Sequence, residues 1–148
     1  MPKRDVEHYI VDVLVAIYKV NHLVRSFFSK QELLRDFRSY DAVLRELQVI
    51  GEAIGNLIRY KILNEQYRPI VDFRNKITHE YFGIDIDIVW SVLREELPLL
   101  DKVVHELVLN YSEKNSLIEA IDCALIDHQR MQQGEIEDFL KKLKKKFI

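Results

Sequence analysis

The chain has 148 residues, 48% hydrophobic and 31% charged, enough to close one core but not two. Four glycines and three prolines, with no Gly-x-Gly and no Gly-Lys-Ser/Thr run, exclude a Walker loop and a Rossmann fingerprint, and supply too few turn residues for a barrel or sandwich of short strands. With 22 Lys and Arg against 24 Asp and Glu, the formal net charge is −2, so bulk charge points to no nucleic-acid partner and leaves only a local patch open.

At the N-terminus Asp5, Glu7 and Asp12 interrupt what would have to be the apolar part of a signal peptide. The apolar run Val13 to Tyr18 is far below the ~20 residues that span a bilayer. A soluble, cytoplasmic protein is expected, and a single cysteine, Cys123, fits a reducing compartment and excludes an intrachain disulfide and a multi-cysteine zinc site. Val6, Ile10, Val13, Ile17, Val20 and Val24 step by threes and fours, so a first helix runs from about Asp5 to Val24 with one apolar face. Ser29 and Glu32 form a capping box for a short helix reaching Phe37. A third helix covers about Tyr40 to Asn64, its stripe running Val43, Leu47, Ile50, Ile54, Leu57 and Lys61. Gly51 and Gly55 lie inside it, each costing ~1 kcal/mol against alanine; close approach of another helix within the bundle is the expected return.

Pro69 suits the first turn of a fourth helix with the stripe Ile70, Phe73 and Ile77, its end marked by Gly83. Asp85 caps a fifth from Ile86 to about Asn110. Pro98 cannot donate to the Arg94 carbonyl, which predicts a kink or break near Glu95. Residues 112–116 read as a linker, followed by a helix from Leu117 to Gln133 terminated by Gly134, and a last amphipathic helix carries Ile136, Leu140, Leu143 and Phe147. The fold class is all-α: an up-down bundle over residues 1–111, with a helical extension over 112–148.

Chemically capable side chains concentrate on helix four: Arg74, Asn75, Thr78, His79 and Tyr81. At 100° per residue the apolar stripe centres ~70° to one side of Arg74 and His79 lies ~140° to the other. His79 therefore points away from the core, and Asn75, four residues earlier, shares its face. Arg74 and His79 of one ideal helix diverge, so a cleft containing both is most simply made by two copies of the helix.

Arg74-Asn75, three residues, then His79-Glu80-Tyr81 resembles the signature of the HEPN superfamily and, within it, the HepT-like ribonuclease toxins of minimal nucleotidyltransferase toxin–antitoxin pairs. Gly51-Glu52-Ala53 upstream, and Asp85, Val89-Trp90 and Leu97-Pro98 downstream, resemble that family's layout over about Asp5 to Asn110. Many relatives carry a tryptophan shortly before the arginine; here the stretch is Tyr-Arg-Pro-Ile-Val-Asp-Phe, a difference of packing. The resemblance implies a homodimer through the motif helices that cuts RNA without a metal or other cofactor. His79 would exchange the proton of a ribose 2′-hydroxyl or of the leaving oxygen, Arg74 would hold the phosphate and Asn75 would orient either. It further implies that a partner nucleotidyltransferase, the antitoxin, uses ATP to place AMP on Tyr81 and silence the nuclease. The rival implication is a non-catalytic HEPN subunit that binds nucleotide or presents substrate to a nucleotidyltransferase.

His8, His22, His105 and His128 sit on separate helices without ligand spacing and read as solvated or locally hydrogen-bonded. Glu52 lines the cleft or is an exposed carboxylate, and Cys123 reads as a small packing residue. Lys141, Lys142, Lys144, Lys145 and Lys146 read as the wet face of the last helix, whose end they suit; contact with an RNA backbone is the sharper alternative.

Overall fold

The computed structural model describes residues 5–80 and 83–147, which form helices with no strand among them. They are α1 (Val6–Val24), α2 (Lys30–Arg35), α3 (Phe37–Arg59), α4 (Arg68–His79), α5 (Ile86–Ser91), α6 (Leu97–Leu109), α7 (Lys114–Arg130) and α8 (Gly134–Lys145). A 3-10 turn over Glu65–Tyr67 leads into α4, and a π-helical stretch over Val92–Glu96 joins α5 to α6. None of these helices is long and apolar enough to cross a membrane.

α1 is the centre of the bundle. The apolar stripe read from the sequence is there, but Val11, Leu14, Val15 and Ala16 are buried as well, so α1 is covered on more than one face. α3 and α6 pack on it from one part of the chain, and α7 and α8 from the other. Leu117, Ile121 and Leu140 are wholly buried in the same apolar cluster as Ile10, Leu14 and Ile17. α8 is held further by stacking of Phe139 on Tyr18, with ring centroids 4.7 Å apart, and by Lys144 on Asp122 at 2.7 Å.

Local chemistry sets the helix ends, and several differ from expectation. Ser29 Oγ accepts from the Glu32 N–H at 3.2 Å, while the Glu32 carboxylate reaches the Phe28 N–H at 2.9 Å, so the reciprocal arm lands one residue before the cap. Asp36 caps α3 by accepting from the Ser39 N–H, which starts that helix at Phe37, before Tyr40. It also stops earlier: Lys61 adopts a left-handed φ of 62° and the Ile62 N–H turns back onto the Leu57 carbonyl at 2.9 Å. Lys61 is therefore not on the α3 stripe. Gly83 does not end α4, which closes at His79 with Glu80 as its cap. Nor does Gly134 end α7. Gln132 takes the left-handed position at φ 56°, and Gly134 is the first residue of α8. The stretch read as a linker is helical from Lys114.

Pro98 has the predicted effect. With no N–H to offer Arg94, the ladder widens and the Leu97 N–H reaches Val92 O, five residues back. Arg94 lies over the Trp90 ring at 4.4 Å and donates to the Phe27 carbonyl at 3.3 Å, fixing the widened turn against the α1–α2 connection. Lys30 pairs with Asp87 and ties α2 to α5.

Cys123 is exposed, not packed, because it stands two residues from both Ile121 and Leu125 and so ~200° around α7 from each. His128 is on the buried side and its Nδ1 donates to the Ala124 carbonyl at 2.7 Å, while His105 lies 3.3 Å from Asp101. The terminal Lys141, Lys142, Lys145 and Lys146 are exposed, as a wet helix face requires.

Glu46 is half-buried on α3, and burial pushes its carboxyl above the usual carboxylate range against the opposing pull of Lys19 and Arg45. A carboxyl raised in the fold adds stability when protonated and loses it as the pH climbs through its folded pKa. Glu46→Gln is thus expected to stabilise the protein at about pH 8, by less than ~1 kcal/mol after solvent screening. Thermal unfolding at about pH 3, below the ordinary carboxylate range, should show the advantage gone, since the carboxyl is then largely neutral in both states.

Candidate active site on the fourth helix

α4 buries Ile70, Phe73 and Ile77 and lies antiparallel along α3. The register is fixed at three places. Gly55 meets Val71, Gly51 meets Arg74, and Gln48 Nε2 donates to Thr78 Oγ1 at 3.4 Å. At Gly51 the approach is so close that a Cβ would fall 2.2 Å from Arg74 Cβ, 2.8 Å from its Cγ and 3.2 Å from the Ile70 carbonyl oxygen. No other residue type fits there without separating the helices. Gly55 is less demanding, its absent Cβ lying 3.6 Å from the nearest Val71 methyl.

The foot of the Arg74 side chain therefore rests in a notch that α3 provides. From that notch its guanidinium turns outward, and Nη1 donates to Asn75 Oδ1 at 3.0 Å. Thr78 Oγ1 donates back to the Arg74 carbonyl at 3.0 Å and accepts from Gln48, so the turn that carries Arg74 is tied to α3 from both sides. Asn75 and His79 are exposed, as the helical wheel predicts, and Arg74 is half-buried.

The contact with Asn75 modifies one expectation. The ~140° between Arg74 and His79 is a divergence of Cβ directions; a long guanidinium need not follow its own Cβ. By folding over onto Asn75, the head of Arg74 comes round toward the face on which His79 stands one turn later. Part of the gap between the two groups is closed within a single chain. Glu52, on α3 beside Gly51, is exposed. Tyr81 lies outside the described residues.

Helical spacing placed Asn75 and His79 on one outward face with Arg74 beside it, but did not show the residues that hold Arg74. Gly51 carried a signal, a costly glycine inside a helix, yet nothing in the sequence tied it to Arg74. Gln48 carried none. Among the described residues no three His, Cys, Asp or Glu side chains are grouped so as to hold a metal ion.

Residues 17–107 match the family model described as "Ribonuclease HepT-like". A protein of Methanocaldococcus jannaschii with a provisional RNase name is 34% identical over 107 residues, spanning 70% of this chain and 97% of that protein. One of Caldanaerobacter subterraneus, also provisionally named an RNase, is 32% identical over 110 residues, or 72% and 94% of the two chains. A protein of Thermococcus cleftensis, named as a probable ribonuclease HepT, is 32% identical over 101 residues, or 66% and 91%. No solved structure gives a significant match.

Proposed function

The chain belongs to the HepT-like ribonuclease family, and on that footing we propose that it is a metal-independent endoribonuclease toxin, working as a homodimer in the cytoplasm and silenced by AMP transfer to Tyr81. The observation that carries this reading is the outward face of α4, where the guanidinium of Arg74 is turned onto Asn75 at 3.0 Å and His79 stands exposed one turn on.

The chemistry follows from the groups. A ribose 2′-oxygen attacks the neighbouring phosphorus, the bond to the 5′-oxygen breaks, and the products end in a 2′,3′-cyclic phosphate and a 5′-hydroxyl. An imidazole has one nitrogen that can accept a proton and one that can donate, so His79 can take the 2′ proton or deliver one to the departing oxygen. Arg74 offers a permanently charged planar fork to the non-bridging oxygens as charge builds on them. A second copy of α4 across a two-fold axis supplies a second imidazole and walls the cleft from water. Tyr81, two residues beyond His79, would accept AMP from the nucleotidyltransferase antitoxin: its phenolic oxygen bonds the α-phosphorus of ATP and pyrophosphate leaves. The added phosphate and nucleoside then compete for the place of the substrate phosphate beside Arg74.

The test is cleavage of single-stranded RNA by the purified chain in the presence of a chelator, with the new 3′ ends identified by mass. Cyclic phosphate ends are expected, and untouched RNA overturns the nuclease reading. Co-expressed Arg74→Ala and His79→Ala chains should recover a measurable part of the activity that each lacks alone; a mixture as inactive as its parents removes the composite cleft. Co-expression with the proposed nucleotidyltransferase antitoxin should add the mass of AMP, and Tyr81→Phe should abolish that gain.

A further inference from the structure

A cavity of about 460 Å³ opens between α1, α3 and the beginning of α8, within the ~300–1,000 Å³ typical of small-molecule sites. Its walls are mainly apolar: the Tyr18 ring, Leu23, Ala42 and Ile136. Besides Tyr18, six polar side chains border it: the carboxylates Glu46 and Glu135, the cations Lys19 and Arg45, His22 and Gln133. Gln133 Oε1 is buried without a hydrogen-bond partner, and among the described residues no ion pair joins Glu46 to Lys19 or Arg45, although both cations act on it at longer range. His22, by contrast, is already engaged, 3.3 Å from Glu135. With His22 and Glu135 set against each other, Glu46, Lys19 and Arg45 remain around an apolar slot with no ion pair among them. Gln133 and Ile136 lie beyond residue 107, where the family match ends, so the C-terminal extension closes a cavity whose other walls, on α1 and α3, lie within the match.

We infer that this cavity is a nucleotide-binding subsite: a guanine base enters between Tyr18, Leu23, Ala42 and Ile136, donates both N–H groups of one edge to the Glu46 carboxylate, and leaves its phosphate on Lys19 and Arg45. A flat base suits the walls. Guanine alone among the four bases offers two adjacent N–H donors on one edge, the pairing a carboxylate accepts; uracil offers a single ring N–H. The nucleotide can come from two sources, a base of an RNA strand that also meets the motif helix or a free guanine nucleotide. Ala42, Arg45 and Glu46 stand ~140° around α3 from Gln48, Gly51 and Gly55, which face α4, so a strand reaching both places passes around that helix. The RNA source rests on the ribonuclease reading; occupation by a free guanine nucleotide does not.

Titration of the full-length protein with 5′-GMP and 5′-UMP by calorimetry should show GMP bound at least about tenfold more tightly. Ala42→Trp, which fills the slot from α3, should abolish GMP binding. Glu46→Gln, which keeps the volume and exchanges an acceptor for a donor, should weaken it about tenfold and carries the test if the tryptophan variant does not fold. In the RNA arm, Ala42→Trp should raise KM for guanine-containing RNA and leave kcat unchanged. An unchanged KM together with GMP binding assigns the site to free nucleotide. Absence of GMP binding at millimolar concentration, or binding untouched by both substitutions, overturns the inference while cleavage by the unmodified chain still stands. GMP binding lost in Ala42→Trp by a chain that cuts no RNA would leave the subsite and remove the nuclease reading.

Discussion

RNA cleavage by His79→Ala is expected to fall by about 10²- to 10⁴-fold, the contribution of a positioned general acid or base. On the proposed roles the loss should appear in kcat, because substitution of His79, exposed on α4, takes away the proposed proton-transfer group and leaves in place the arginine proposed to hold phosphate. RNA binding measured by anisotropy should stay within about threefold of the unmodified chain, since Arg74 supplies the charge-assisted contact. Stability should also change little, as substitutions at exposed positions usually stay within ~0.5 kcal/mol. A His79→Ala chain that melts normally and cuts RNA at the original rate would take His79 out of the chemistry.

The second large effect is expected from a residue that touches no substrate. In Gly51→Ala the new methyl would fall 2.2 Å from Arg74 Cβ and 3.2 Å from the Ile70 carbonyl oxygen, and neither a Cβ, fixed by its own backbone, nor a carbonyl oxygen can swing aside as the end of a flexible side chain can. α3 and α4 must move apart, at ~1–3 kcal/mol for overpacking, offset in part by the ~1 kcal/mol that alanine gains over glycine inside a helix. Catalysis should suffer more than stability, because a ~1 Å displacement of a positioned group can cost ~10²-fold in rate, and here the displaced group is Arg74. Gly55→Ala is the control. Its methyl would sit 3.6 Å from Val71, an ordinary contact, so the helix gain of up to ~1 kcal/mol should show as a higher melting temperature with unchanged activity. Equal melting temperatures and equal kcat/KM for the two variants would mean that Gly51 does not seat Arg74.

These two residues mark what could be read from the sequence. His79 was legible because its position follows from a helical period and an apolar stripe, both local properties. The same holds for the capped start of α2 at Ser29 and for the break before Pro98. At the end of α7 a non-glycine residue, Gln132 at φ 56°, adopts the left-handed backbone that Gly134 was expected to take. Lys61 at φ 62° ends α3 before Asn64, although its residue type does not signal it, and α4 closes at Glu80, with negative φ, before Gly83 is reached. The burial of α1 was underestimated for another reason: its second apolar face is covered by α7 and α8, far away in sequence.

By itself, then, the sequence determined that the protein is all-helical, which face of α4 turns outward, and which residue types stand on it. These depend on backbone preference and on periodicity within one element. Only the tertiary structure decided that Gly51 lies under Arg74, that Gln48 is tied to Thr78, and that Gln133 and Glu46 face one cavity from helices almost ninety positions apart. Each depends on the register of one helix against another. That register is set by the summed packing of many side chains, and no short stretch of sequence records it.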